Sequence, residues 1–181
     1  MIALYLAKCN KQNEHTVAKA LAEYGFRGRF GRNAKITHER CGKPRFNGEV
    51  AAFVSLSHTE GICLAAISDR EIGADIEYMK GDSDHLLRLA KRYFTESEAE
   101  YVSAEPHRRF YEVWCKKESY IKYTGEGMSR PLGSFSVSDI ERDGKGIIFS
   151  SLVTDNYTIA VCAHEAVIEP PITVEDITII N

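Results

Sequence analysis

The sequence predicts a fold of the α+β class, in which helices are segregated from antiparallel sheet. Three observations favour this class. Two apolar runs joined by the turn-forming "TEG" have the pattern of a β-hairpin. Helical periodicity dominates from about His85 to Thr124, and strand-like runs return after Ser134. The order strands, helices, strands differs from the regular alternation that builds a parallel sheet.

The first part of the chain contains a strand, a helix and a hairpin. The opening "MIALYLA" predicts a strand, and "EHTVAKALAEYGF" places Val17, Leu21 and Tyr24 at helical spacing. We expect this helix to stop at Gly25, because glycine commonly ends helices. The runs "AAFVSLSH" and "ICLAAIS" predict an antiparallel hairpin that leads into residues 71–79.

Three helices are expected in the middle of the chain. The first, "HLLRLAKRYF", separates its apolar face from its basic residues. Thr95 and Glu98 form the capping-box pattern T-x-x-E, which predicts the start of a second, short helix. A third helix is expected from Pro106 until just before Gly125. The later strand candidates are "KGIIFSS", "NYTIAVCA" and "ITVEDITII".

Length and composition restrict the function classes. A chain of 181 residues forms one domain or two small half-domains. No run approaches the roughly 20 apolar residues of a membrane span, and "MIALYLAKCN" turns polar too early for a signal peptide, so we expect a cytoplasmic protein without a membrane partner. The odd number of scattered cysteines, without C-x-x-C, predicts reduced thiols. The histidines show no H-x-x-x-H pair, which argues against a structural zinc site.

Positive charge is concentrated between Gly25 and Phe46, although the net charge is only −3. Such a segment attracts anions, so it fits a nucleic acid, a phosphorylated ligand or simply a solvated basic loop. The sequence has no helix-turn-helix, zinc or aromatic stacking signature to support nucleic-acid binding. The segment holds seven basic residues against the single acid Glu39: Arg27, Arg29, Arg32, Lys35, Arg40, Lys43 and Arg45.

The stretch "EIGADIEYM" at residues 71–79 places two carboxylates on one face of an extended chain. Asp75 and Glu77 share a parity with Gly73 and Met79, whereas the opposite parity is apolar. A half-exposed strand whose polar face meets water explains the pattern. A divalent metal site also explains it, and that hypothesis needs a third oxygen ligand from another element.

The third predicted helix supplies such a ligand. Its apolar arc includes Phe110, Val113, Trp114 and Ile121, while Lys117 projects from the same arc and Glu118 lies at its edge. In the simplest interpretation Lys117 extends to solvent and Glu118 pairs with Lys122 at the surface. Alternatively, Glu118 joins Asp75 and Glu77 in an all-oxygen Mg²⁺ site, and the lysines meet phosphate oxygens.

An ordered set of motifs resembles the 4′-phosphopantetheinyl transferases, and more closely the pseudo-dimeric, surfactin-synthetase-activating type. G-x-D-I-E followed by W-x-x-K-E-x-x-x-K is the specific part of the resemblance. The similarity covers about Cys41 to Val137. The motifs are "CGKP", "SLSHTEG", "IGADIE", "KRYFTESE" and "WCKKESYIKYTGEGMS".

The resemblance implies an activity. Enzymes of this family transfer the 4′-phosphopantetheine arm of coenzyme A to a serine of an apo acyl or peptidyl carrier protein and release adenosine 3′,5′-bisphosphate. By position, Asp75, Glu77 and Glu118 would be the Mg²⁺ ligands. Glu118, or a water it orients, would be the base, and Lys122 would neutralise the diphosphate. The implied coenzyme A contacts are Lys43, Ser57, His58, Lys117 and Lys122, with Ser57 and His58 at the 3′-phosphate.

The resemblance also implies an architecture and a partner surface. Two similar half-domains related by a pseudo-twofold, residues 1–71 and 72–181, would enclose the coenzyme in the cleft between them. The basic face made by Arg88, Lys91 and Arg92 would dock an acidic carrier-protein helix, unless it is only a solvated helix surface. A monomer is expected. The alternative function is a carrier- or nucleotide-binding module that has this fold but no turnover.

Overall fold

A computed structural model describes residues 1–38, 42–48, 50–143, 147–154, 156–164 and 168–175. The strands are β1 Ile2–Lys8, β2 Ile36–His38, β3 Pro44–Phe46, β4 Phe53–Thr59, β5 Ile62–Ser68, β6 Ile72–Tyr78, β7 Ile147–Val153, β8 Tyr157–His164 and β9 Ile172–Val174. The α-helices are α1 Glu14–Phe30, α2 Ser83–Tyr93, α3 Glu96–Ser103, α4 Pro106–Thr124 and α5 Val137–Arg142. No helix in these ranges is both long and apolar enough to cross a membrane.

The strands form two sheets. The larger has the order β2-β3-β4-β5-β1-β9 and the smaller the order β6-β8-β7. All neighbouring strands are antiparallel except β1 and β9, which are parallel. The predicted hairpin is confirmed, because Phe53 of β4 lies opposite Ser68 of β5 and the register continues to the turn. The α+β class is confirmed as well.

The alternating pattern of β6 decides what covers its two faces. Ile72, Ala74 and Ile76 are buried in a core that also contains residues of β1, β5 and β8. The other face packs against α4. A Cβ atom added at Gly73 would lie 1.9 Å from the Ser119 carbonyl oxygen of α4. A glycine is therefore needed for this helix to lie so close to the strand.

Side-chain hydroxyls of β4 bind the free edge of β6, and we call this contact the hydroxyl seam; its members are Ser55, Ser57 and Thr59. Ser55 Oγ accepts from the Ala74 amide at 2.9 Å and donates to the same residue's carbonyl oxygen at 3.3 Å. Thr59 Oγ1 accepts from the Tyr78 amide at 3.1 Å. The hydroxyls take the place of a backbone neighbour, so the edge strand of the smaller sheet is joined side-on to the larger sheet.

The first helix extends beyond its predicted end. Instead of stopping at Gly25, α1 continues to Phe30 and ends at Gly31, which has a φ of 64°. Gly25 is buried inside the helix, where an added Cβ would lie 2.6 Å from the Tyr5 ring. Gly25 is therefore needed for close packing against Tyr5 and does not end the helix. The sequence pattern alone does not distinguish these two roles of a glycine.

The helical predictions in the middle of the chain are confirmed. The capping box is present, with the Thr95 hydroxyl accepting from the Glu98 amide and the Glu98 carboxylate accepting from the Thr95 amide. Helix α4 begins at Pro106 and is followed by Gly125 in the left-handed conformation. These ends place Lys117, Glu118 and Lys122 within one continuous helix.

The return to strand after Ser134 begins later than predicted. The short helix α5 comes first, with the Ser136 hydroxyl accepting from the Asp139 amide. The next two strand predictions are confirmed as β7 and β8. Of "ITVEDITII", residues 172–174 form β9, and 176–180 lie outside the described residues. Because β9 pairs with β1, the C-terminal part of the chain contributes a strand to the sheet of the N-terminal part.

Candidate active site

A cavity of about 490 Å³ lies where α1, β4, β6 and α4 meet. Seven of the eight residues expected to contact metal or coenzyme line it. Among the described residues, β3 pairs with β4 only where Arg45 lies opposite Phe53. The next five residues of β4, 54–58, have no β3 partner there, and all five line the cavity. The seven lining residues are Lys43, Ser57, His58, Asp75, Glu77, Glu118 and Lys122.

Asp75 is the most buried of the acids, with 3% of its surface exposed. Its Oδ1 accepts hydrogen bonds from Ser57 Oγ and from Lys122 Nζ, both at 2.7 Å. Its Oδ2 is buried and has no hydrogen-bond partner within the described part of the chain. The neighbouring Cys115 thiol donates instead to the Thr158 carbonyl oxygen, 3.4 Å away. A buried carboxylate oxygen without a partner is costly, so a cation would stabilise it.

Glu77 lies on the same face of β6 as Asp75, and its carboxylate accepts hydrogen bonds from two side chains of other elements. Trp114 Nε1 donates to Oε1 at 3.2 Å, and Thr59 Oγ1 donates to Oε2 at 3.3 Å. Burial, followed by the nearby charge of Asp75, raises the pKa of Glu77 to about 7, while the two donors and the Lys122 ammonium act in the opposite direction. At neutral pH the carboxyl group is therefore partly protonated unless a cation compensates its charge.

Glu118 approaches the same region from α4. Burial raises its pKa above the usual value, and the charge of Asp75 acts in the same direction, while the Lys122 ammonium lowers it. The carboxyl group is thus a stronger base than an exposed glutamate. The surface pair of Glu118 with Lys122 does not form, because Lys122 Nζ is bound to Asp75 and Ser57.

The three acids fit a divalent ion by their chemistry. All the side-chain ligand atoms are oxygens, and Asp75 raises the pKa of both glutamates. One buried oxygen of Asp75 has no hydrogen-bond partner among the described residues. Mg²⁺ prefers this kind of ligand set. Their ligand atoms do not all come within 4.8 Å of one another; among the described residues, the trio that does is made of Glu14, His15 and His58.

Ser57 and His58 lie on opposite faces of β4, although the resemblance places both at one phosphate. Ser57 faces Asp75, whereas His58 faces α1, with Nδ1 3.5 Å from Glu14 Oε2. Its ring contacts His15 edge-on at 4.7 Å between centroids. Burial lowers the pKa of His58, against the opposing effect of Glu14. Ser57 therefore lies on the side of the cavity that contains the acids, and His58 lies on the side formed by α1.

Lys43 lines the cavity but is already paired. Its Nζ donates to the Glu71 carboxylate and to the Tyr123 carbonyl oxygen, the latter at 2.6 Å. Arg45 donates to the same carboxylate. Glu71 thus holds Lys43 and Arg45 in place at the start of β3.

Lys117, which the resemblance also assigns to coenzyme A, is not among the residues that line the cavity. It is fully buried, with Nζ 2.7 Å from Glu98 Oε2. It also donates to the carbonyl oxygens of Leu132 and Phe135, at 2.8 and 2.5 Å. Its position on the apolar arc reflects this role: the lysine joins α4 to α3 and to the segment before α5.

The other basic residues are divided between pairs and solvent. Arg29 pairs with Glu169 and Lys35 pairs with Glu23, each at 3.0 Å. Arg27 is exposed. Neither Arg27 nor Arg29 of α1 is among the residues that line the cavity. On α2, the residues of the expected docking face are all exposed: Arg88, Lys91 and Arg92. Arg40 lies outside the described residues.

Sequence reasoning missed the wall formed by α1. His15, Ala18 and Lys19 line the cavity from one face of this helix. Their spacing, i, i+3 and i+4, is a signal for a shared face, but a histidine and a lysine near a helix start are ordinary surface residues. It also missed Trp114, which orients Glu77 although it belongs to an apolar arc.

Comparison with known proteins gives a consistent family. Residues 71–169 match the family model of the 4′-phosphopantetheinyl transferase superfamily. The chain is 33% identical over 162 residues to the 4′-phosphopantetheinyl transferase Sfp of Bacillus subtilis (strain 168), covering 81% of this chain and 68% of that protein. It is 36% identical over 115 residues to HetI of Nostoc, another 4′-phosphopantetheinyl transferase, covering 59% of this chain and 48% of HetI.

A further relative is the 4′-phosphopantetheinyl transferase psf-1 of Bacillus pumilus, 32% identical over 114 residues, which are 61% of this chain and 47% of the relative. The match to the family model begins at the start of β6 and includes the whole of α4, so it contains all three acids and Lys122. The chain therefore belongs to the 4′-phosphopantetheinyl transferase superfamily.

Proposed function

We propose that this protein transfers the 4′-phosphopantetheine group of coenzyme A to a serine of an apo carrier protein and releases adenosine 3′,5′-bisphosphate. The observation that carries the proposal is the convergence of Asp75, Glu77, Glu118 and Lys122 on one cavity. Relatives that bear the name of this activity support it.

Asp75, Glu77 and Glu118 would hold a Mg²⁺ ion in this cavity. When bound, such an ion supplies positive charge to the diphosphate, which is the main requirement of phosphoryl-type transfer. The Asp75 oxygen that has no hydrogen-bond partner in the described part of the chain, and the raised pKa of both glutamates, support this assignment.

The protein's own residues move the proton and balance the charge. Glu118, directly or through an oriented water, takes the proton of the carrier serine as its oxygen attacks the β-phosphorus. The new serine oxygen–phosphorus bond forms as the diphosphate bridge breaks, and the bridging electron pair leaves with adenosine 3′,5′-bisphosphate. Lys122 meets the negative charge that develops on the diphosphate. Its bonds to Asp75 and Ser57 hold the ammonium ready for this role.

The remaining residues would bind the two substrates. His58 and Lys43 line the cavity and would contact nucleotide phosphates. The exposed basic face of α2, made by Arg88, Lys91 and Arg92, would dock an acidic helix of the carrier protein. A monomer would be sufficient, since one chain supplies every side chain named.

The test is the intact mass of apo acyl and peptidyl carrier proteins after incubation with the protein, coenzyme A and Mg²⁺. We expect a gain of one phosphopantetheine, which is abolished by EDTA and by Glu118→Ala. Glu100→Ala, an exposed acid on α3, is the matched control and should retain the gain. Coenzyme A binding without any mass gain across carriers would instead establish a binding module.

A further inference from the structure

The first turn of α1 brings two potential metal ligands against β4. Glu14 and His15 are consecutive at the start of this helix, and His58 lies near the end of the strand. One ligand atom from each comes within 4.8 Å of the other two. The histidine rings meet edge-on, and Glu14 Oε2 lies 3.5 Å from His58 Nδ1.

A neighbouring cysteine fixes this arrangement. Cys63 of β5 lies directly opposite His58, so the two side chains share a face of the sheet. The Cys63 thiol donates to the Glu14 carbonyl oxygen at 3.2 Å. The strand pair therefore positions both the histidine that it carries and the helix turn that carries the other two ligands.

The three groups have the composition of a transition-metal site. Two imidazoles with one carboxylate suit Zn²⁺ and its neighbours rather than Mg²⁺. Three protein ligands leave a coordination position open, and His15 and His58 both line the cavity. Glu14 and His58 are only partly buried, so an ion can enter from solvent.

We propose that Glu14, His15 and His58 bind one Zn²⁺ ion, on the opposite face of β4 from Asp75, and that this ion competes with coenzyme A. The second part rests on the proposed function, in which His58 meets the nucleotide phosphates. An ion that occupies the imidazole of His58 removes it from those phosphates, so zinc weakens coenzyme binding.

The first part is tested by titrating the purified, metal-free protein with Zn²⁺ by calorimetry and with Co²⁺ by visible absorption. We expect one equivalent at this site, and a cobalt spectrum without thiolate charge-transfer bands, which excludes the cysteines as ligands. Glu14→Gln and His15→Gln should each weaken binding by about tenfold or more, since loss of a ligand exceeds the usual effect of an outer partner. His107→Gln, an exposed histidine on α4, should leave the affinity unchanged.

Titration curves that are the same for Glu14→Gln, His15→Gln and the unsubstituted protein would overturn the metal site, as would a thiolate spectrum. For the second part, coenzyme A binding is measured with and without one equivalent of Zn²⁺. Zinc should lower the affinity, and His15→Gln should lose this zinc dependence. Loss of coenzyme A binding already in the metal-free sample counts against the proposed function, whereas zinc-independent binding counts against the competition alone.

Discussion

Lys122 Nζ lies 2.7 Å from Asp75 Oδ1, so the lysine of α4 is bonded across to β6 rather than to Glu118, one turn earlier on its own helix. This single cation lowers the pKa of both glutamates, against the effects of burial and of Asp75. The charge balance of the cavity therefore depends on the ion pair between Lys122 of α4 and Asp75 of β6.

Replacing this cation shifts the titration of its neighbours. In metal-free Lys122→Met we expect the pKa of Glu77 and of Glu118 to rise, because the opposing ammonium is gone. Carbon-13 NMR of glutamate-labelled protein over a pH series measures both. Lys116→Met, on the same helix but outside the cavity lining, is the control. Identical titration midpoints in all three proteins would contradict the expected coupling.

The raised pKa of Glu77 predicts a cost in stability that depends on pH. Its pKa in the folded protein, about 7, lies above the usual 4.5, so ionisation opposes folding and stability falls as pH rises through this range. Metal-free Glu77→Gln should therefore be more stable than the unsubstituted protein at about pH 8, by about 1–2 kcal/mol after allowing for partial exposure.

Below about pH 4.5 this advantage should disappear, because Glu77 is then protonated in both states. Urea unfolding in EDTA at the two pH values measures the difference. A gain that is equal at both would assign the effect to packing rather than to charge. Despite its stability, the variant should lose transferase activity, since a carboxylate of the proposed metal site is absent.

Gly73 controls how closely α4 approaches the acids. In Gly73→Ala the new methyl would lie 1.9 Å from Ser119 O and 2.4 Å from Tyr123 N, and both are backbone atoms of the helix. We expect a loss of about 2–4 kcal/mol in unfolding free energy and a large fall in activity. Gly28→Ala is the matched control. No atom of the described residues would lie within 4 Å of the added Cβ, so this variant should be neutral or slightly stabilised in the same denaturation and activity assays.

Lys117 is predicted to act through stability rather than through coenzyme binding. Lys117→Met leaves the buried Glu98 carboxylate without its positively charged partner, so we expect a loss of about 3–5 kcal/mol in the free energy of unfolding. The molecules that remain folded should keep the KM for coenzyme A. Chemical denaturation and steady-state kinetics below the unfolding transition measure the two effects. A raised KM with normal stability would restore the coenzyme contact that the sequence motif implies.

The basic face of α2 is predicted to affect the carrier protein alone. Arg88→Glu with Lys91→Glu should raise the KM for the carrier protein and leave that for coenzyme A unchanged, because both side chains are exposed and outside the cavity lining. Arg27→Glu with Arg32→Glu introduces the same charge change at the end of α1 and just beyond it, and should alter neither. Equal effects of the two pairs on carrier KM would point to long-range charge instead of docking.

Much of this fold follows from local patterns. The hairpin, the capping box at Thr95 and the ends of α4 are all coded by residues close in sequence, so periodicity and capping rules were sufficient. The shared face of Asp75 and Glu77 was predictable for the same reason. Non-local contacts were not: Gly25 is required by the Tyr5 ring, twenty residues away, and a rule for helix ends cannot detect it.

The same distinction applies to the site. Motif resemblance assigned Lys117 to coenzyme A, but its partner Glu98 is contributed by another helix, and sequence spacing does not show which face of α4 meets which neighbour. His15 was overlooked because its significance arises only when α1 packs beside β4 and places it against His58.

The hydroxyl seam also limits how the cavity can move. Its three members are spaced two apart on β4, and Ser55 and Thr59 bind backbone groups of alternate residues of β6. A displacement by one residue would place these hydroxyls opposite residues whose backbone groups point toward β8. Sliding of one sheet along the other therefore breaks every bond of the seam at once. An opening that admits a ligand and leaves this joint intact would therefore have to move the wall that α1 forms through His15, Ala18 and Lys19.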